Sequence, residues 1–170
     1  SLGIPHTGTF TDTLNYKKRH PLYLQKDGFK IALLNYTYGT NGLPVPKGFV
    51  VPHIDTTTIK QDIQLARRDT ATNIIAFMHW GYEYHNFPNK EQRALSKWLH
   101  EQGADMVIGS HPHVVQPIEY YTSDKDTLGV TVFSLGNFIS NQSQQGTEGG
   151  ICIRVTLTKP RNHPVRYQME

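Results

Sequence analysis

Two apolar runs in this chain each end in a histidine motif. Asn73-Ile74-Ile75-Ala76-Phe77-Met78 runs into His79-Trp80-Gly81, and the stretch from Ala104 to Gly109 runs into Ser110-His111-Pro112-His113. The first run lacks alternation, as expected for a strand covered on both faces. Between the two lies a helix signature: Asn89 followed three residues later by Gln92 predicts a capped start, Leu95, Trp98 and Leu99 form the apolar stripe, and Gly103 ends the helix after about Gln102. Strand, helix, strand with a connection this long predicts a right-handed parallel crossover, so both histidine motifs leave the same edge of one sheet.

The flanking sequence extends this α/β pattern. Phe29 to Thr37 reads as a buried strand introduced by the turn-like Lys26-Asp27-Gly28. Residues 39–53, rich in glycine and proline, form a long loop of a kind that is uncommon unless it serves a site. Asp55 caps a helix through about Arg68, with Ile59, Ile63 and Ala66 on one face. Gly129 to Leu135 and Gly150 to Leu157 read as further strands, the latter with Ile151, Ile153, Val155 and Leu157 on one face and Cys152, an unreactive structural thiol, on the other. The start of the chain reads as polar and irregular, and the last dozen residues as an irregular tail or the lead into further sequence.

Composition narrows the function. With 37% hydrophobic and 18% charged residues in 170, the chain has the balance of one globular domain and not of a disordered or fibrous one. Its 17 basic and 14 acidic residues are scattered, apart from Lys17-Lys18-Arg19, which excludes a nucleic-acid partner and suits an anionic polymer only weakly. The single cysteine excludes an intrachain disulfide and a thiolate-rich zinc site. No apolar run approaches the roughly 18 residues that span a bilayer. Because the chain starts with Ser1 instead of Met, a longer parent is expected, in which a leader or membrane anchor stays open.

Nine histidines are an informative excess, since neutral imidazole is the commonest metal ligand among side chains. Pro112 pushes His111 towards extended backbone, where residues i and i+2 point to one side. His111 and His113 are therefore expected to face one point beyond the strand end, with His79 at the equivalent position of the preceding strand. Open α/β sheets bind ligands at that edge. Taken alone, His79 reads as a hydrogen-bonded surface residue and His-Pro-His as a turn; their joint occurrence on successive strands favours a metal site. His6, His20, His53, His85, His100 and His163 are expected in loops or on a helix surface, without a functional role.

The segment from His79-Trp80-Gly81-Tyr82-Glu83-Tyr84, through Pro88 and Gln92, to Gly103-Ala104-Asp105-Met106-Val107-Ile108-Gly109-Ser110-His111-Pro112-His113-Val114-Val115-Gln116 and Glu119 resembles the bacterial capsule-synthesis family of the CapA or PgsA type. Phe133-Ser134-Leu135-Gly136-Asn137-Phe138 matches that family's closing motif. The family is similar to the calcineurin-like metallophosphatases. The resemblance implies that residues 1–158 are the C-terminal portion of a metallophosphatase-like α/β/β/α sandwich, with 159–170 as tail. It implies a divalent metal (manganese, zinc or iron) in the intact parent, with His79, His111 and His113 carried onto metal-ligand positions. The motif Gly109-Ser110-His111-Pro112-His113 is one residue longer than the family pattern, which leaves open which of His111 and His113 takes which metal.

The N-terminal ligand motifs of the metallophosphatases do not precede residue 29, so the site is expected to be incomplete here. Three imidazoles suffice for one zinc in an open tetrahedral site, but not for a two-metal clamp. Glu83 reads as a carboxylate that orients an imidazole or contacts substrate, or as an exposed loop residue, and Asn137 as an amide presented to a ligand or as turn chemistry. Trp80, Tyr82, Tyr84 and Phe87 read as core and rim, or as the lining of a groove for a polymer or sugar. The expected role is in capsule or poly-γ-glutamate production at the cell envelope, the parent being a metal-dependent hydrolase or transferase acting on a phosphoester or envelope polymer; the alternative is a non-catalytic polymer-binding or export factor. The unpaired sheet edge of such a fragment predicts self-association.

Overall fold

The parallel crossover lies at the centre of the computed structural model, which describes residues 3–122, 127–158 and 166–169. In chain order the elements are α1 (Thr13–Arg19), β1 (Leu22–Lys26), β2 (Phe29–Thr37), α2 (Thr56–Arg68), β3 (Asn73–His79), α3 (Lys90–Gln102), β4 (Met106–Ser110), β5 (Ile118–Thr122), β6 (Thr127–Val132), β7 (Val155–Thr158) and β8 (Arg166–Met169). Six strands form one sheet in the order β1-β2-β3-β4-β6-β5. Neighbours from β2 to β6 run parallel, and antiparallel β1 and β5 close the two sides. The fold class is α/β, consistent with the metallophosphatase-like sandwich that the resemblance implies.

Local signals form the two helices as expected. Asp55 accepts a hydrogen bond from the Thr58 amide at 2.7 Å, and Asn89 and Gln92 complete a reciprocal capping box at the start of α3. Ile59, Ile63 and Ala66 of α2 and Leu99 of α3 pack on the sheet face that carries Ala32, Leu34, Tyr36, Ile74, Ala76, Met78 and Val107. Burying each large aliphatic side chain there contributes about 1.5–3 kcal/mol. The buried face of α3 also includes Gln92, Ser96 and His100, which apolar counting passed over. Ser96 and His100 both reach the Thr131 hydroxyl of β6, at 2.7 and 2.8 Å, so these polar groups are buried in pairs and not alone.

The structure departs from expectation at the chain's ends. The polar start holds α1, capped by Asp12, and β1; α1 buries none of its residues, so it left no apolar periodicity to read. The strand expected from Gly150 begins only at Val155 and pairs with β8, outside the main sheet. The irregular tail therefore contains a strand, Arg166–Met169, because antiparallel pairing with β7 supplies the backbone bonds that its sequence did not advertise. Among the described residues no helix is long and apolar enough to cross a membrane.

Candidate metal centre

Strand register sets the first part of the site. Thr37, His79 and Ser110 are cross-strand partners on β2, β3 and β4, so they form one row at the carboxyl edge of the sheet. His79 Nδ1 lies 2.8 Å from the Thr37 hydroxyl. The Tyr38 ring stands 5.4 Å from that of His79 and 4.6 Å from that of His111, and its hydroxyl donates to Asn41 at 2.6 Å.

Beyond β4 the backbone is not extended. His111 has φ +101° and His113 φ +61°, both in the left-handed region, in place of the extended conformation that Pro112 predicted. Two contacts between loops override the local preference: the Trp80 amide donates to Ser110 O at 3.1 Å, and the Tyr84 amide to Pro112 O at 2.8 Å. Tyr84 is left-handed as well, with φ +64°. Such residues cost about 1–3 kcal/mol each and cluster where a site over-determines them.

This turn brings two of the three expected imidazoles together with Glu83. Ligand atoms of Glu83, His111 and His113 all lie within 4.8 Å of one another. His79 lies just beyond this trio, its ring 4.6 Å from that of His111. Asn137 is placed behind His113, its Oδ1 2.9 Å from Nδ1, and Tyr84 stacks on the same imidazole at 5.9 Å.

The hydrogen-bond network assigns the proton on His113. Asn137 Nδ2 donates to Thr147 O and Gln142 Oε1, each at 3.0 Å, and the carbonyl of Thr147 has nothing to donate in return. Asn137 therefore turns its oxygen to His113, and Nδ1 carries the proton. Nε2 is then the nitrogen that faces the cluster, 3.5 Å from Glu83 Oε1. An imidazole nitrogen facing a carboxylate calls for a proton or a cation between them. That requirement fits a metal ion to the residues present.

Electrostatics favours the neutral form of the other two imidazoles. Burial is the main cause that lowers the His79 pKa, with a smaller push from His113 and opposition from Glu83. His111 is lowered in the same way, first by burial and then by His79, against Glu83.

The remaining sequence expectations divide. Trp80 is core, donating its indole N–H to Phe133 O at 3.0 Å, whereas Tyr82, Tyr84 and Phe87 are exposed. His6, His53 and His85 are exposed, but His20 and His100 are buried, contrary to their expected surface positions. His20 bonds Asp62 at 3.0 Å and His100 bonds Ala104 O at 2.8 Å, so both are held as structural residues. His163 lies outside the described residues. Thr37, Tyr38 and Gln142 were missed, and for Thr37 only its place at the end of a predicted strand hinted at a role.

Every side chain of this site falls within residues 1–142, the stretch that matches the family described as bacterial capsule synthesis protein PGA_cap. The chain belongs to that family. Among relatives in the family, the chain is 31% identical over 158 residues to the PGA biosynthesis protein CapA of Bacillus subtilis (strain 168), a match that covers 86% of this chain. It is 34% identical over 91 residues, 54% of its length, to the capsule biosynthesis protein CapA of Bacillus anthracis. The matched stretches span 38% and 21% of those two relatives' own lengths.

Proposed function

We propose that this chain carries a divalent-metal centre of a protein that acts in capsule or poly-γ-glutamate production at the bacterial cell envelope. Glu83, His111 and His113 are its ligands, and the adjoining His79, whose ring lies 4.6 Å from that of His111, is the further imidazole that completes the set. The observation that carries this reading is the grouping of the Glu83, His111 and His113 ligand atoms within 4.8 Å of one another, with His113 Nε2 3.5 Å from the Glu83 carboxylate. Three nitrogens and one oxygen suit zinc, manganese or iron. The names of the two CapA relatives support the polymer role.

An ion held there supplies Lewis acidity towards a phosphoryl or carbonyl oxygen. The chain's own residues set the geometry: Asn137 holds the His113 ring, Tyr84 stacks on it, and Tyr38 covers the His79 and His111 rings. The parent protein is a metal-dependent hydrolase or transferase acting on envelope polymer or a phosphoester. A two-ion clamp needs more donors than this cluster holds, so this chain alone binds metal without turning over a phosphoester. Among the described residues β1 and β5 are the outer strands of the sheet, which favours its self-association, and sedimentation velocity over a range of concentrations checks this.

Calorimetry with Zn²⁺ and Mn²⁺ tests the centre. Binding by the wild type that is lost in His113→Ala and weakened in Glu83→Gln is the expected result, and a wild type that binds neither ion sinks the proposal. A second reading, polymer binding without catalysis, is favoured by Tyr82, Phe87, Phe138 and Ile139, which are exposed near the same centre. Under it, a capsule polymer binds equally well to the wild type and to His113→Ala.

A further inference from the structure

The loop of residues 39–53 has a task that its composition does not reveal. It returns to β2 and clamps Thr37 on both sides: the Thr37 amide donates to Pro52 O at 3.0 Å, and the Ile54 amide donates to Thr37 O at 2.9 Å. So held, the Thr37 hydroxyl lies 2.7 Å from the Gly39 carbonyl oxygen and 2.8 Å from His79 Nδ1, and it accepts from the Gly39 amide at 3.2 Å. A carbonyl oxygen gives no proton, and a 2.7 Å contact between two oxygens needs one. The single hydroxyl proton therefore points at Gly39, and towards His79 the hydroxyl is an acceptor.

We propose that Thr37 is a positioning residue that holds His79 in its Nδ1–H tautomer and leaves Nε2 as its ligating nitrogen. Asn137 does the same for His113 from the other end of the chain. Two imidazoles on successive strands are thus presented in one tautomer by an alcohol and an amide that lie about 100 residues apart in sequence, outside either histidine motif. The consequence for ligand affinity rests on the metal reading above; the tautomer itself does not.

Long-range proton–nitrogen NMR of histidine-labelled, metal-free protein at about pH 8, where imidazoles are neutral, reads the tautomer directly. The wild type shows His79 protonated on Nδ1. Thr37→Val keeps the branched shape and removes the acceptor, so it shifts His79 to a mixed or Nε2–H tautomer and weakens Zn²⁺ binding by about 10–100-fold. Thr37→Ser keeps the acceptor and restores both. A wild type with His79 protonated on Nε2 overturns the assignment, as does a Thr37→Val protein with an unchanged tautomer. If the variant does not fold, the wild-type spectrum still decides. If the tautomers behave as stated but no variant, nor the wild type, binds zinc, the metal reading falls and the role of Thr37 stands.

Discussion

Gln92 and Gln116, both buried, meet through a 3.1 Å hydrogen bond from Gln92 Nε2 to Gln116 Oε1. Gln92 Oε1 also accepts from the Asn89 amide at 3.0 Å, while Gln116 Nε2 donates to His85 O at 2.7 Å. One contact thus ties the start of α3 to the loop that carries Glu83 and to the segment that follows His113. Gln116→Leu leaves the Gln92 amide and the His85 carbonyl without partners. The expected loss is roughly 2–3 kcal/mol in urea unfolding, together with weaker metal binding. A variant as stable as the wild type would show that the network carries no net stability.

Gly109 stands where a side chain is impossible without rearrangement. A methyl group there overlaps the Phe133 carbonyl, whose carbon lies 2.7 Å from the added atom, and presses on the Trp80 indole that donates to it. Gly109→Ala is expected to cost roughly 3 kcal/mol by overpacking, and to displace the β4 end that delivers the histidines. Retention of wild-type stability and of an unshifted Trp80 indole proton resonance would refute this.

The left-handed backbone at His111 predicts an inverted ranking. At φ +101° any β-carbon is strained, so His111→Gly is expected to be more stable than His111→Ala by about 1 kcal/mol, although glycine is ordinarily the weaker choice. Both variants lose the ligand, which isolates the backbone term. Alanine equal to or better than glycine in thermal unfolding would mean that the turn is relaxed.

His100 makes stability depend on pH. Its Nδ1 donates to Ala104 O, so Nε2 accepts from the Thr131 hydroxyl, and burial is the first cause that lowers its pKa, against Ala104 and Asp105. With the folded value below that of the unfolded chain, the unfolded state takes up the proton first. The contribution is full above the unfolded value of about 6.5 and is lost as pH falls through it towards the folded value. His79 and His111 act with the same sign. Urea unfolding at about pH 7.5 and about pH 5.5 is therefore expected to show a smaller drop for His100→Gln than for the wild type. Equal drops would remove His100 from the account.

Legibility followed the range of the interactions. The capping pair Asn89 and Gln92, the cap Asp55 and the unbroken apolar run of β3 act within a few residues, and those elements form where local rules place them. The convergence of His111 and His113 was anticipated, but by the wrong backbone route: Pro112 argues for extension, while bonds from Trp80 and Tyr84 fold the turn into the left-handed region. Glu83 read equally well as an exposed loop residue, because its approach to the imidazoles depends on the positive φ of Gly81 and Tyr84 on either side of it. The polar half of the α3 interface was hidden because Ser96 and His100 are buried only by virtue of a hydroxyl on β6.

By itself, then, the sequence determined an α/β chain with two histidine motifs at one sheet edge and membership in a capsule-synthesis family. Hydrophobic runs, caps and short motifs are properties of neighbouring residues and survive being read in a line. The tertiary structure alone decided that Glu83 joins the imidazoles, and that Thr37 and Asn137 stand behind His79 and His113. Each of these depends on strand register or on a hydrogen bond between segments distant in sequence, and such partners become neighbours only when the sheet and its loops have closed.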